Sequence, residues 1–414
     1  MMNRITSQNH SHPLNGLAIG ILLITCFVTN ISQMSMLVDS GQSSRVSIIA
    51  WVVCFVFVIL SGKMVFRVTA LSVYILSIIF FLLIALNSIF TINDYWGSSH
   101  VYSLFISLFV FTVGCLISNY IDEERWNKLI WIYVISSCAV AVEVYINYFS
   151  SGFNISSRIY AYDSKNSFSQ ILLTSIVLLI FGMSNEQKKK YMIIRRVIIV
   201  LLFLLIALMK SRATIVGFGV LYVAFLTNKA IKRKYKFWSV AALLIAIFAV
   251  IEVPSIHKLV IDDILLAGRS ISNLNDLSSG RVTIITSGLE QIRENLIWGI
   301  GKKYLDCYPI ATVLQFGLVA GVVLWFIALL PLFLSLKVQM FNTSSEYYNV
   351  VTSIIVLSIT YIVNGLFECL TPLGPGVKCF FLWLALGIIT NARDITLKNF
   401  HINGQIASIY SSES

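Results

Sequence analysis

Hydrophobic and polar positions along this chain fall in long blocks. Twelve apolar blocks, most of them near the length an α-helix needs to cross a bilayer, are separated by shorter polar segments. They run at 14–31, 46–60, 68–90, 101–117, 129–149, 168–183, 192–209, 213–227, 237–253, 308–334, 347–363 and 379–390. The last is short for a crossing unless it begins within the loop before it. The pattern has one large break. From Pro254 to Cys307 about fifty polar-to-amphipathic residues intervene, and the chain then returns to apolar sequence at Tyr308. Within the break, Val282, Ile285, Leu289, Ile292 and Leu296 recur at alternating spacings of three and four, which predicts one apolar stripe of an α-helix. Ser278 or Ser279 can cap its start and Gly299 can close its end. Arg281 then lies in the first turn, where a cation opposes the helix dipole. Free first-turn amides beside a guanidinium make an anion site. The plainer reading is a solvated arginine on a surface helix.

Composition agrees with the blocks. Of 414 residues 57% are hydrophobic and 12% charged, with a mean hydropathy of +0.85, whereas a soluble domain carries about 25% charge. This excludes a soluble protein and predicts an all-α polytopic integral membrane protein with about twelve transmembrane helices and one long loop containing an amphipathic helix. The organisation expected is a membrane bundle of about nine helices over 1–253, the loop at 254–307, about three helices over 308–390, and a tail at 391–414. The first apolar run lacks a small-residue cleavage site and reads as a signal anchor.

The net charge of +11 does not indicate nucleic acid, because the cations sit in short segments between spans. With both termini inside, lysine and arginine number 18 in the inside segments and 12 outside, six of these in the long loop, where the charge rule is weak. The rule also divides 192–227. Basic clusters at Lys188 to Arg196 and Lys229 to Lys236 can both face inward only if the chain crosses twice between them, so Lys210-Ser211-Arg212 marks an outside turn.

Candidate chemistry is sparse. Of five histidines, His10, His12 and His401 lie in polar tails, and His100 and His257 are isolated. No spacing of His, Cys, Asp or Glu suits a metal, adjacent Asp262-Asp263 being a weak candidate, and there is no phosphate-binding Gly-rich loop. Neither a metal nor a cofactor is expected. Five of the seven cysteines lie in or at apolar spans and read as small core residues; Cys307 and Cys369 both fall outside, where a bridge is possible. There is no internal repeat, and Glu143 is the clearest ionisable residue within a span. The outside set holds Arg158, Lys210, Arg212, Arg269, Arg281 and Arg293, with Glu252, Glu290, Asp306 and Glu368 nearby. Arginines without a metal suit a phosphorylated lipid, since guanidinium pairs with phosphate in bidentate fashion. Arg212 also reads as a snorkelling helix end, Glu368 as a plain loop carboxylate, and Asp306 as a favourable helix-start charge.

At these residues the sequence resembles the O-antigen ligase/polymerase superfamily of bacterial envelope glycosyltransferases, in particular Wzy-type O-antigen polymerases. Ser211-Arg212-Ala213-Thr214 opens an apolar span; Ser279-Gly280-Arg281 precedes the amphipathic helix, which leads to Asn295-Leu296-Ile297-Trp298-Gly299-Ile300-Gly301; and the following segment ends in Gly317-Leu318-Val319-Ala320-Gly321. Over the first two hundred residues only hydropathy matches. Ligases of the superfamily usually carry a His-Asn pair about eleven residues before the glycine read here as Gly317. This chain has Asp306-Cys307 there, which argues for a polymerase and against a histidine base at that place.

The resemblance implies a GT-C-like glycosyltransferase of the bacterial inner membrane, active at its periplasmic face. The donor would be a growing glycan on undecaprenyl pyrophosphate, and the acceptor one repeat unit on the same carrier. Motif match gives Arg212 and Arg281 to the pyrophosphate, with Arg158 a third contact. Asp306 is the candidate beside the attacking hydroxyl, with Glu368 behind it. A separate chain-length regulator is the expected protein partner, besides the bilayer and the lipid-linked oligosaccharide. The alternatives are a ligase transferring glycan to lipid A core, or a lipid-linked oligosaccharide flippase or transporter.

Overall fold

The computed structural model describes residues 13–61, 67–150, 165–183, 189–266, 269, 273–278, 280–341, 348–373 and 379–391. It is all-α, with no strand among the described residues. The helices are α1 (Pro13–Ile31), α2 (Ser35–Asp39), α3 (Ser43–Ser61), α4 (Val68–Phe90), α5 (Ser99–Ile117), α6 (Glu123–Ser150), α7 (Lys165–Val177), α8 (Lys189–Leu208), α9 (Arg212–Thr227), α10 (Arg233–Glu252), α11 (Pro254–His257), α12 (Leu274–Leu277), α13 (Arg281–Glu294), α14 (Tyr308–Phe341), α15 (Tyr348–Gly365) and α16 (Phe380–Asn391). Among the described residues eight helices are long and apolar enough to cross a membrane; Gly16–Ile31, Asn166–Gly182, Arg212–Thr227 and Phe380–Asn391 are shorter apolar helices. Every predicted apolar block is thus a helix, and the chain is a multi-pass membrane protein.

Packing agrees with the charge rule on the division of 192–227. Arg196, on α8, lies over the ring of Tyr235, on α10, at 5.8 Å. The two basic clusters therefore meet at one end of the bundle, and α8 and α9 run out and back between them. Lys210 makes the return turn in the left-handed region, φ 52°, a conformation that costs a non-glycine residue of order 1 kcal/mol. Glu143 caps the short α2: its carboxylate accepts from the Ser35 amide at 2.9 Å and from the Ser35 hydroxyl. α10 buries no residue, so its apolar surface is left to lipid.

Helices from before and after the long loop build one core. α16 is buried along its whole length and packs on α5. A Cβ on Gly114 would lie 2.3 Å from the Leu384 carbonyl, and one on Gly387 2.3 Å from the Phe111 carbonyl, so two small residues let the backbones touch. At about 1.5 Å per residue, a 12-residue helix does not span hydrocarbon. Enclosed by protein, α16 has no need to.

The expected crossing at 308–334 takes a different form. α14 is broken at Gly317, φ 77° and ψ 171°. The Tyr308 hydroxyl donates to the Leu324 carbonyl and Trp325 Nε1 to the Pro309 carbonyl, both at 3.1 Å, sixteen residues apart in sequence, a distance no straight helix bridges with a side chain. Residues 308–316 are therefore a half-helix folded back along the start of 318–341. The break frees carbonyls, and the chain before it satisfies them. Ile300 N–H donates to Leu314 O, Gly301 N–H to Gln315 O, and Asn87 Nδ2 to Phe316 O, at 2.9, 3.0 and 2.8 Å. Asn87→Leu strands a buried acceptor, so it is expected to lower stability by about 1–3 kcal/mol, read as a lower melting temperature in detergent.

Candidate functional site

α13 begins one residue after Gly280, which takes φ 80° as its N-cap. Its packed face is Arg281, Ile285, Gly288 and Ile292, shifted from the predicted stripe: Val282, Leu289 and Leu296 are each more than 40% exposed. The shift has a cause. Ile285 and Ile292 join Leu305, Cys307, Ala311, Leu314 and Cys369 in a second apolar cluster beside the folded-back half-helix, and Gly288 leaves room for Leu305. Burying that face brings Arg281 inward. The helix ends at Asn295, short of Gly299, which instead lies against the Gln315 carbonyl and Gly317.

The helix start differs from expectation in one respect. Its first amides are not free. Val282 N–H donates to Ser278 Oγ and Thr283 N–H to Asn275 Oδ1, both at 3.2 Å. The Ser278 cap holds; Ser279 lies outside the described residues. The dipole end is thus already engaged by uncharged caps, and the guanidinium is what remains for an anion.

Arg281 faces the segment before the half-helix. Its Nη2 is 3.9 Å from Asp306 Oδ2, with the side chains 19% and 29% exposed. That separation is too long for a direct hydrogen bond. The Arg281 Nε is buried without a hydrogen-bond partner, and the guanidinium lies 6.0 Å from the Phe367 ring centre. The Tyr304 hydroxyl donates to Asp306 Oδ1 at 2.5 Å. Burial first, then Asp306 and Glu368, push the Tyr304 phenol up, so it stays protonated. Glu368 is buried in the turn after α15, its charge felt at Tyr304. Arg281, Tyr304, Asp306 and Glu368 thus meet at one place.

Arg212 occupies the neighbouring turn. Its Nη1 donates to the Leu277 carbonyl, four residues before Arg281, and ties the start of α9 to the loop. Ser211 beside it is buried and bonded to Asn166 Oδ1 at 3.2 Å. Arg158, the third predicted arginine, lies outside the described residues. Cys307 and Cys369 share the second apolar cluster without a disulfide between them.

Sequence reasoning missed His100. It is fully buried in the first turn of α5, 5.6 Å from the ring of Tyr308, with its Nε2 2.8 Å from the Cys369 carbonyl. Its ligands come from residues more than two hundred positions away, which no local pattern reveals. The one available signal was a histidine at the first turn of an apolar span, where the default is an apolar residue.

Residues 197–317 match a family model, Wzy_C, described as O-antigen ligase. The match runs from within α8 to the Gly317 break and contains Arg212, Arg281 and Asp306; His100 and Glu368 lie beyond it. No curated protein matches the chain. The match covers under a third of the chain; together with the all-α multi-pass fold it supports the O-antigen ligase/polymerase superfamily and a glycosyl-transferring activity.

Proposed function

We propose that this protein is an O-antigen polymerase, joining oligosaccharide repeat units carried on undecaprenyl pyrophosphate at the periplasmic face of the bacterial inner membrane. The observation that carries the reading is the meeting of Arg281, Asp306 and Tyr304 where the family-matched segment folds back on the bundle. Asp306-Cys307 in place of a His-Asn pair favours the polymerase over the ligase. A separate chain-length regulator is proposed as its protein partner.

The chemistry assigned to these residues is a displacement at an anomeric carbon. A hydroxyl oxygen of the acceptor unit bonds to the anomeric carbon of the donor glycan, whose bond to the pyrophosphate oxygen breaks. The hydroxyl proton passes to a carboxylate, Asp306 first and Glu368 as the alternative. The departing pyrophosphate gathers charge that guanidinium groups stabilise in bidentate fashion. Arg281 suits this role because its buried Nε–H has no partner in the protein and its 3.9 Å separation from Asp306 is longer than a hydrogen bond. Arg212 is proposed as a second contact by motif match, and Arg158 as a third. Tyr304 orients Asp306. Tyr304→Phe is expected to lower kcat about tenfold, the loss of one hydrogen bond to a charged acceptor, with the membrane level of the protein unchanged.

The test is the banding of surface polysaccharide on a gel after deletion of the gene. A polymerase leaves lipid A core bearing a single repeat unit while the ladder disappears, and the wild-type gene restores it. Loss of every substituted form, including the single unit, points to a ligase or flippase and overturns the proposal.

A further inference from the structure

His100 is fully buried, and both its ring nitrogens face protein oxygens. Nε2 lies 2.8 Å from the Cys369 carbonyl. A carbonyl only accepts, so Nε2 carries the hydrogen. Nδ1 then carries no hydrogen and only lies beside Gln315 Oε1, at 3.3 Å; that oxygen accepts from Ser98 Oγ, at the start of α5, at 2.5 Å. The other half of that amide, Gln315 Nε2, donates to the Lys303 carbonyl. This fixes the amide: turned over, its oxygen would meet the Lys303 oxygen. Tyr308 and the edge-on Phe316, at 5.6 and 6.1 Å, hold the imidazole plane.

The network reaches two segments that share no sequence neighbourhood. Lys303 immediately precedes Tyr304, two residues from Asp306. Cys369 immediately follows Glu368. One imidazole and one amide, side by side at the start of α5, therefore each bond a main-chain carbonyl of one carboxylate-bearing segment.

We propose that His100 is a positioning residue that holds the Glu368 segment, through the Cys369 carbonyl, against the Asp306 segment that the Ser98–Gln315 pair holds. The inference rests on the polymerase reading for its catalytic consequence. His100 does not touch the reacting atoms: its ring is enclosed and Nε2 is engaged by the Cys369 carbonyl. A rigid link of this kind matters because a displacement of about 1 Å in a reacting group costs on the order of a hundredfold in rate.

The experiment uses the full chain in lipid nanodiscs, with His100→Leu, His100→Gln and His100→Asn. A Gln amide nitrogen reaches about as far as Nε2, and an Asn amide nitrogen about as far as Nδ1. The expected result is a fall in kcat of about a hundredfold for Leu and Asn, with KM within about twofold, and recovery by Gln to within about tenfold of wild type. Gln no more active than Asn overturns the proposal, because the ring itself would then be needed. So does His100→Leu with wild-type kcat. If His100→Leu does not reach the membrane, the comparison of Gln with Asn decides. Hydrogen exchange gives a readout independent of the reaction. In His100→Asn, residues 366–371 are expected to exchange faster. Unchanged exchange there overturns the positioning whatever the activity, whereas faster exchange in a protein inactive as a polymerase leaves the positioning standing and removes the proposed reaction.

Discussion

Replacing Arg281 by alanine is expected to slow glycan transfer by about two to four decades, since two charge-assisted contacts to the leaving group at about 1.5–3 kcal/mol each are lost in the transition state. The geometry explains why this arginine should matter more than its neighbours. Arg281 is held inward by the packing of Ile285 and Ile292, and one of its donors is buried with no protein partner. Arg212 already donates to Leu277, so part of its effect is structural. Arg281→Lys keeps the charge and loses the fork, and is expected to recover only part of the rate. Asp306→Asn separates charge from shape: it keeps a Tyr304 acceptor and removes the proton acceptor. The measurement is kcat at matched amounts of purified protein. A loss below about tenfold for Arg281→Ala would return it to an ordinary partly exposed arginine.

Gly317→Ala is expected to abolish the folded protein. A Cβ there would lie 1.9 Å from the Ile297 carbonyl oxygen and 2.6 Å from its carbon, both backbone atoms that cannot rotate away. The backbone at φ 77° and ψ 171° is also in a region almost reserved for glycine. Steric and conformational costs together exceed about 3 kcal/mol. Gly219→Ala is the control, with open space at the added carbon. The check is a monodisperse peak and a melting transition in detergent. A Gly317→Ala protein as stable as Gly219→Ala contradicts the fold-back.

Much of the fold could be read in the sequence, because a bilayer enforces long apolar runs and leaves the charges between them. The bounds of α4, read as 68–90, are those of the structure. The charge rule divided 192–227 into two helices, and Arg196 over Tyr235 supports the division. Other features stayed hidden for physical reasons. A single glycine in an apolar run is tolerated in a helix, so nothing local announced the break at Gly317; its cause lies in the 296–301 backbone that pairs with it. The stripe of α13 was shifted because, beside a membrane, exposed apolar residues such as Val282 and Leu289 do not mark the protein-facing side. The start of α13 read either as an anion site or as a plain surface helix, and the bonds that Ser278 and Asn275 make to the Val282 and Thr283 amides needed the fold to be seen. Of the candidate site, Arg281 and Asp306 were reachable through motif and position. Their pairing needed the fold, as did the place of His100.

The most direct test of the central claim is a reaction with purified protein in lipid vesicles. The substrate is repeat unit on undecaprenyl pyrophosphate, offered with and without lipid A core, and the products are separated by size. A polymerase is expected to form a ladder of lipid-linked oligomers without lipid A core, to release undecaprenyl pyrophosphate at each step, and to lose the ladder in Arg281→Ala. Product that forms only when lipid A core is present, one glycan per core, would contradict polymerisation and assign the chain to ligation.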